Sequence, residues 1–459
     1  MSDNNAPAGH GIGFAEAVKT WAQIGFASFG GPVGQIALMH KILVDDKRWI
    51  GETRFLHALN YCMLLPGPEA QQLATYIGWL LHRTLGGLIA GLFFILPGFV
   101  VILALSALYA GFQHFTVVAG MFFGIKAAVL AIIVHAMARL ASRALRNAAM
   151  YTIAAVAFVA IFFFNVAFPV IIVAAAVTGF FGGRFFPAGF AAAAAEAAPE
   201  GEDAPALDRF LANGNVAHTR PRAGYALKVA AVLLILWLGP VLALYLTVGP
   251  DNVFTQIGVF FSKMAVVTFG GAYAVLAYVA QEAVNNFGWL QPGEMLDGLG
   301  LAETTPGPLI LVTEFVGFLA AYRDPGIFSP MVGALLGAIL TVWVTFTPCF
   351  LWIFLGAPYV ERLRGNRILA SGLTAITAAV VGVILNLAVW FALHVLFGHV
   401  ATDHYGPLRL YVPEIATLNA AALILSALSF YALFRLRAGI IPLVAVAAAL
   451  GAGYTLLTV

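Results

Sequence analysis

Leu65-Pro66-Gly67-Pro68-Glu69 interrupts one apolar stretch, and Thr305-Pro306-Gly307-Pro308-Leu309 interrupts another. Proline removes a helix hydrogen bond and pushes the residue before it out of the helical region. Pro-Gly-Pro therefore ends one helix and starts the next, and Pro68 and Pro308 are expected at the first helical position. A bare backbone break is costly in lipid and survives where it is packed in protein or lines a wet cavity. Two breaks at corresponding places in two halves are the pattern of a transporter's binding site.

The rest of the chain supplies the membrane around these breaks. Its 459 residues are 62% hydrophobic and 10% charged, with mean hydropathy +0.94. That composition predicts a polytopic α-helical membrane protein in contact with membrane lipids. The net charge of +2 comes with no basic patch, which excludes a nucleic-acid partner. Cys62 and Cys349 lie far apart in apolar surroundings, so they read as core residues rather than metal ligands or a disulfide. The polar residues 1–13 lack the pattern of a signal peptide, which predicts direct insertion into a bacterial inner membrane.

A shift of 240 carries Phe29-Gly30-Gly31 onto Phe269-Gly270-Gly271, Trp49 onto Trp289, and Pro66-Gly67-Pro68 onto Pro306-Gly307-Pro308. A shift of 251 carries Pro97 onto Pro348 and Ala127-Ala128-Val129 onto Ala378-Ala379-Val380, so 11 residues are inserted between the registers, around 322–330. The chain is an internal duplication. It divides into a polar tail 1–13, a first repeat 14–184, a disordered cytoplasmic linker 185–222, a connecting helix 225–247 and a second repeat 252–459.

Four apolar segments are broken: 14–44 at Phe29-Gly30-Gly31-Pro32, 54–83 and 292–322 at Pro-Gly-Pro, and 252–286 at Gly270-Gly271. If all four turn back, Lys41, Lys47, Arg48, Arg54, Arg83, Arg139, Arg143, Arg146, Arg184, Arg220, Arg222, Arg362, Arg364, Arg367, Arg435 and Arg437 fall on one side. The positive-inside rule makes that side, and the N-terminus, cytoplasmic. The expected fold is all-α, with about nine full spans plus four re-entrant hairpins. Each repeat contains an even number of crossings, and the single helix 225–247 inverts the second against the first.

A helix that starts at mid-membrane aims free N–H groups and its positive end into the cavity. Starts near Pro32, Pro68, Ala272 and Pro308 form an anion site that needs neither metal nor fixed arginine. Gly30, Gly31, Gly67, Gly270, Gly271 and Gly307 let a ligand approach the backbone, with Ser28, Gln35, Gln71, Gln72, Thr268, Thr304 and Thr305 alongside. A packing or hinge role is the plainer reading of each motif taken singly. Lys126 and Lys263 lie deep in apolar segments, either as attracting or coupling charges or as lysines reaching for the interface. Glu69 and Glu303 flank the Pro-Gly-Pro breaks, either as proton carriers or as partners of the helix dipole. Glu314 and His135 read as buried partners or interface residues.

On Phe29-Gly30-Gly31-Pro32, Leu65 to Leu73, Gly86-Gly87 to Leu96-Pro97-Gly98, Thr268 to Tyr273 and Glu303 to Leu309, the chain resembles the chromate transporter family in its two-domain form. The resemblance covers both halves. It implies efflux of chromate, lowered toxicity, and competition by the similarly shaped sulfate. Ala272 stands where the first repeat has Pro32, so the halves are not identical at that break.

No phosphate-binding loop ending in Gly-Lys-Ser/Thr is present, so transport must draw on an ion gradient, the potential or the substrate gradient. The competing classes are an anion channel, a carrier for another oxyanion such as sulfate, and an intramembrane enzyme acting on a lipid phosphate. The enzyme wants clustered His or acidic residues, and the ten histidines are scattered. No catalytic residue, metal or cofactor is therefore expected, and a homodimer is left open.

Overall fold

The computed structural model describes residues 11–29, 31–190, 205–208, 223–269, 272–291, 293–359 and 367–458. The first half opens with α1 (Phe14–Ala27), α2 (Gly31–His40), α3 (Glu52–Leu64) and α4 (Glu69–Phe112). Then come α5 (Thr116–Ala144), α6 (Ala148–Phe164) and α7 (Phe168–Phe185). A one-turn helix Pro187–Phe190 follows, and α8 (Ala223–Val248) leads into the second half. That half contains α9 (Val253–Val267), α10 (Ala272–Gln281), α11 (Glu294–Thr304), α12 (Val312–Arg323), α13 (Pro330–Gly356) and α14 (Arg367–Leu396). It ends with strands β1 (Val400–Tyr405) and β2 (Leu408–Pro413) and helices α15 (Ala420–Phe434) and α16 (Ile440–Thr458).

Among the described residues, seven helices are long and apolar enough to cross a membrane, and α6, α9 and α15 are shorter apolar helices. The protein is an integral membrane protein. The antiparallel β-hairpin corrects the expectation of an all-α chain. Val400, Thr402, Tyr405, Tyr411 and Val412 are residues that favour strands, and Gly406 at φ 62° makes the turn.

The duplication is visible element by element. α2 runs into a π-helical turn, Lys41–Asp46, and α10 into another, Glu282–Asn286; Trp49 and Trp289 are buried just beyond. α4 is two helices folded back on each other at His82 (φ −130°, ψ 35°) and Arg83 (φ 56°, ψ −152°). Its arms touch where a Cβ on Gly78 would lie 2.5 Å from the Gly86 carbonyl oxygen. α12 and α13 meet the same way, with a Cβ on Gly337 falling 2.5 Å from the Gly317 carbonyl oxygen. Small residues also bring the outer helices together: a Cβ on Gly451 of α16 would sit 2.5 Å from the Gly124 nitrogen of α5, and one on Gly179 of α7 2.5 Å from the Ser371 carbonyl oxygen of α14.

The outer ends of α1, α2 and α3 and the fold of α4 lie close together. Lys47 pairs with Glu16 at 3.0 Å, His40 with Glu52, and His82 Nε2 is 3.1 Å from the Ile12 carbonyl oxygen. In the second half, Arg323 donates to Trp289 O at 2.5 Å and to Glu294 at 2.6 and 2.9 Å, while Phe260 packs on Phe287 and Trp289. The far end of α4 reaches this second cluster, where the Tyr109 hydroxyl donates to Asp297 Oδ2 at 2.8 Å.

Most of the expected linker lies outside the described residues, as do residues 1–10 of the expected N-terminal tail. Of residues 205–208, Leu207 N–H donates to Trp49 O at 3.0 Å, and Asp208 accepts from Gly51 N–H at 2.6 Å and pairs with Arg54.

Candidate functional site at the helix breaks

The breaks form where the sequence denies the helix its next turn. α3 ends at Leu65 in extended backbone, Gly67 takes φ 128° and Pro68 ψ 106°. α11 ends at Thr305, also extended, Gly307 takes φ 90° and Pro308 ψ 133°. Pro68 and Pro308 thus cap their helices from outside instead of occupying the first helical position. After Pro308 the chain makes a 3-10 turn, Leu309–Leu311, before α12. At these tips the glycines meet the opposite half.

That meeting is reciprocal. Gly67 N–H donates to Thr268 O at 2.7 Å, and Gly307 N–H donates to Ser28 O at 2.9 Å. The two bonds are related by the 240-residue shift. Each takes up a carbonyl left free at the end of α9 or α1. The neighbours are paired as well. A Cβ on Gly67 would lie 2.7 Å from Gln72 Nε2 and 2.9 Å from Cys349 Sγ of α13. A Cβ on Gly307 would lie 3.3 Å from Gly98 Cα and Phe94 O of α4. Gly98 and Cys349 are related by the 251-residue shift. Positive φ and close neighbours together require glycine at both tips.

The expected polar side chains do surround the breaks, and each of them donates to protein. Ser28 Oγ donates to Ile24 O at 2.6 Å and Thr268 Oγ1 to Met264 O at 2.5 Å. Thr304 and Thr305 donate to carbonyls of α11. Gln71 Nε2 donates to Thr75 Oγ1 at 3.0 Å, Gln72 Nε2 to Pro66 O at 2.7 Å, and Gln35 Nε2 to Gly307 O at 2.6 Å. The three amide oxygens are buried and, among the described residues, unpartnered. Among the described residues nothing accepts from the N–H groups of Glu69, Ala70 and Gln71, the first turn of α4. Gly31, at φ 71°, opens α2 and is followed by Pro32; Gly30, Gly270 and Gly271 lie outside the described residues.

The charged candidates separate. Glu69 begins α4 beside Pro68. Glu303 is buried and accepts from the Tyr273 hydroxyl of α10, leaving Oε2 unpartnered among the described residues. Lys126 is not at the breaks: its Nζ is 3.3 Å from Asp297 Oδ2, the oxygen that also accepts from Tyr109. Lys263 is exposed and lines a separate surface cleft with Tyr245 and Phe287. Neither lysine reaches the breaks. Glu314, one turn into α12, is fully buried with both oxygens unpartnered among the described residues. No cluster of three or more His, Cys, Asp or Glu able to hold a metal occurs among them either.

Sequence reasoning missed Gly98, Cys349, Tyr273 and the Lys126–Asp297–Tyr109 group. A signal for the first two was present: both follow the prolines, Pro97 and Pro348, that share the second repeat register.

The sequence pattern of the family described as "Chromate transporter" matches residues 15–180 and 255–453. The "Chromate transport protein" of Pseudomonas aeruginosa is 31% identical over 381 residues, 81% of this chain and 80% of its own. That of Cupriavidus metallidurans is 27% identical over 377 residues, 82% of each chain. The "Probable chromate transport protein" of Synechococcus elongatus is 25% identical over 377 residues, 82% of this chain and 83% of its own. No solved structure matches. With both halves matched and the paired glycine breaks at their centre, this chain belongs to the chromate transporter family.

Proposed function

We propose that this protein is a secondary transporter that exports chromate across the bacterial inner membrane and thereby confers chromate resistance, with sulfate as competitor. The observation that carries the reading is the reciprocal pair of backbone bonds, Gly67 to Thr268 and Gly307 to Ser28, each of which joins a break of one repeat to a break of the other. Family membership and the names of the relatives support chromate as substrate.

The broken segments are re-entrant. Were α1, α2 and the π-turn one crossing of 33 residues, Glu16 and Lys47 would stand about 45 Å apart at 1.5 Å per residue; their ion pair at 3.0 Å supports a hairpin. The repeats are inverted. Tyr109, at the end of α4 away from the first cluster of outer ends, bonds Asp297 in the second cluster, which supports opposite entry of the two pairs of hairpins. The N-terminus is cytoplasmic, a reading the positive-inside distribution supports.

Anion binding uses the free N–H groups of the helix starts at Pro32, Pro68, Ala272 and Pro308. The unpartnered oxygens of Gln35, Gln71 and Gln72 favour a ligand that also brings a proton. Chromate is partly protonated near neutral pH and sulfate is not, so these amides favour chromate. Glu69 and Glu303 carry the coupling proton.

The test is uptake of labelled chromate into inside-out vesicles, with sulfate added and with the proton gradient or potential collapsed separately. Saturable, energised uptake is expected. Non-saturating flux would replace the carrier by a channel, and absence of chromate uptake alongside sulfate uptake would change the substrate.

A further inference from the structure

A cavity of about 280 Å³ lies away from the breaks, between the β-hairpin, the end of α10 and the end of α14. Its wall contains Arg409, which is 6% exposed. Arg409 anchors the hairpin: Nη1 donates to Asn165 Oδ1 at 2.8 Å, and Nη2 to the carbonyl oxygens of Ile161 and Phe162 at 3.0 and 3.2 Å. Its guanidinium lies 4.9 Å from the Tyr411 ring centre. Among the described residues its Nε has no partner and no carboxylate pairs with it. Arg323, by contrast, is held by Glu294. A buried cation without a counter-ion is costly, and a cavity beside it gives an anion room to supply one.

The rest of the wall fits that ligand. Asn165, Asn285, His394 and His404 present groups that can donate to oxygen. Glu282 is also there, and its Oε2 accepts from Asn286 Nδ2 at 2.8 Å. A carboxylate on the wall weakens anion binding, which suits a site that must let go. α10 starts at the Gly270-Gly271 break and ends at Gln281 on this wall, so the cavity stands one helix, about 15 Å, from the centre.

We propose that this cavity is a second, weaker binding site for a tetrahedral oxyanion, centred on Arg409, through which the transported anion leaves. The exit role rests on the export reading above; the binding site itself does not.

Trp390 lines the cavity with its ring 4.3 Å from that of His394, and chromate absorbs where tryptophan emits. Chromate is titrated into the purified full-length chain, and the emission component lost in Trp390→Phe is followed. Saturable quenching is expected, displaced by sulfate. Arg409→Gln should weaken it about tenfold, the scale of a charge-assisted hydrogen bond, and Arg409→Lys by less. Asn285→Asp, which leaves the hairpin anchor intact, should weaken it comparably. Gly67→Val should abolish transport and leave this quenching unchanged. Equal quenching in the wild type, Arg409→Gln and Asn285→Asp overturns the proposal, as does its loss in Gly67→Val. If transport of chromate fails in the wild type while Arg409-dependent quenching persists, the export reading falls and the site stands.

Discussion

Gly67→Ala tests the crossed breaks most sharply. At φ 128° an L side chain costs about 1–3 kcal/mol in backbone strain. The new Cβ would also fall 2.7 Å from Gln72 Nε2 and 2.9 Å from Cys349 Sγ. Moving the Gln72 amide costs its bond to Pro66 O, about 1 kcal/mol. The sum is about 2–4 kcal/mol against the conformation in which Gly67 meets Thr268. At about 1.4 kcal/mol per tenfold, chromate uptake should fall roughly 30- to 1000-fold per protein in the membrane. Gly307→Ala should do less, because its φ is 90° and its contacts begin at 3.3 Å. Gly326→Ala is the control: φ is 61° and nothing lies within 4 Å of the new atom, so about 1–2 kcal/mol of strain is expected and transport within twofold of wild type. The assay is the initial rate in vesicles, normalised to membrane protein, beside a thermal melt in detergent. Wild-type transport and melting in Gly67→Ala would refute the reasoning.

Lys126→Ala leaves the buried Asp297 carboxylate with the Tyr109 hydroxyl alone among its described partners and should cost about 2–3 kcal/mol by thermal or denaturant melting, most of it recovered in Lys126→Ala/Asp297→Ala; no recovery would mean the lysine acts elsewhere. Glu303→Gln keeps an oxygen for the Tyr273 hydroxyl, so chromate binding should persist while the component of uptake driven by a proton gradient disappears; an unchanged response to that gradient would remove Glu303 from coupling. Glu314→Leu replaces a buried carboxyl without a described partner by an apolar side chain of similar size and should raise the melting midpoint, by about 1–3 kcal/mol of stability; a lowered midpoint would contradict its lack of partners.

The duplication, the membrane setting and the places of the four breaks were legible because they depend on local chemistry. Proline and glycine decide where a helix stops whatever surrounds them, and apolar length decides what enters a bilayer. The hairpin at 400–413 was less legible, since two six-residue strands without polar-apolar alternation carry little periodic signal beside long apolar helices. Lys126 illustrates a second limit. Its depth in an apolar segment was plain, but its partner Asp297 stands 171 positions away, on a helix that only packing brings near.

The sequence by itself determined that this is a duplicated, polytopic membrane protein of the chromate transporter family, with breaks at 28–32, 65–69, 268–272 and 304–309. Only the tertiary structure decided which break meets which. The first break of each half bonds the second break of the other, Ser28 to Gly307 and Thr268 to Gly67. It likewise decided that the lysines lie apart from the breaks and that Arg409 faces a cavity. The reason is physical. A helix end leaves carbonyls that must find donors, but its sequence does not say where; in a membrane interior, where water does not supply them, the other half of the fold does.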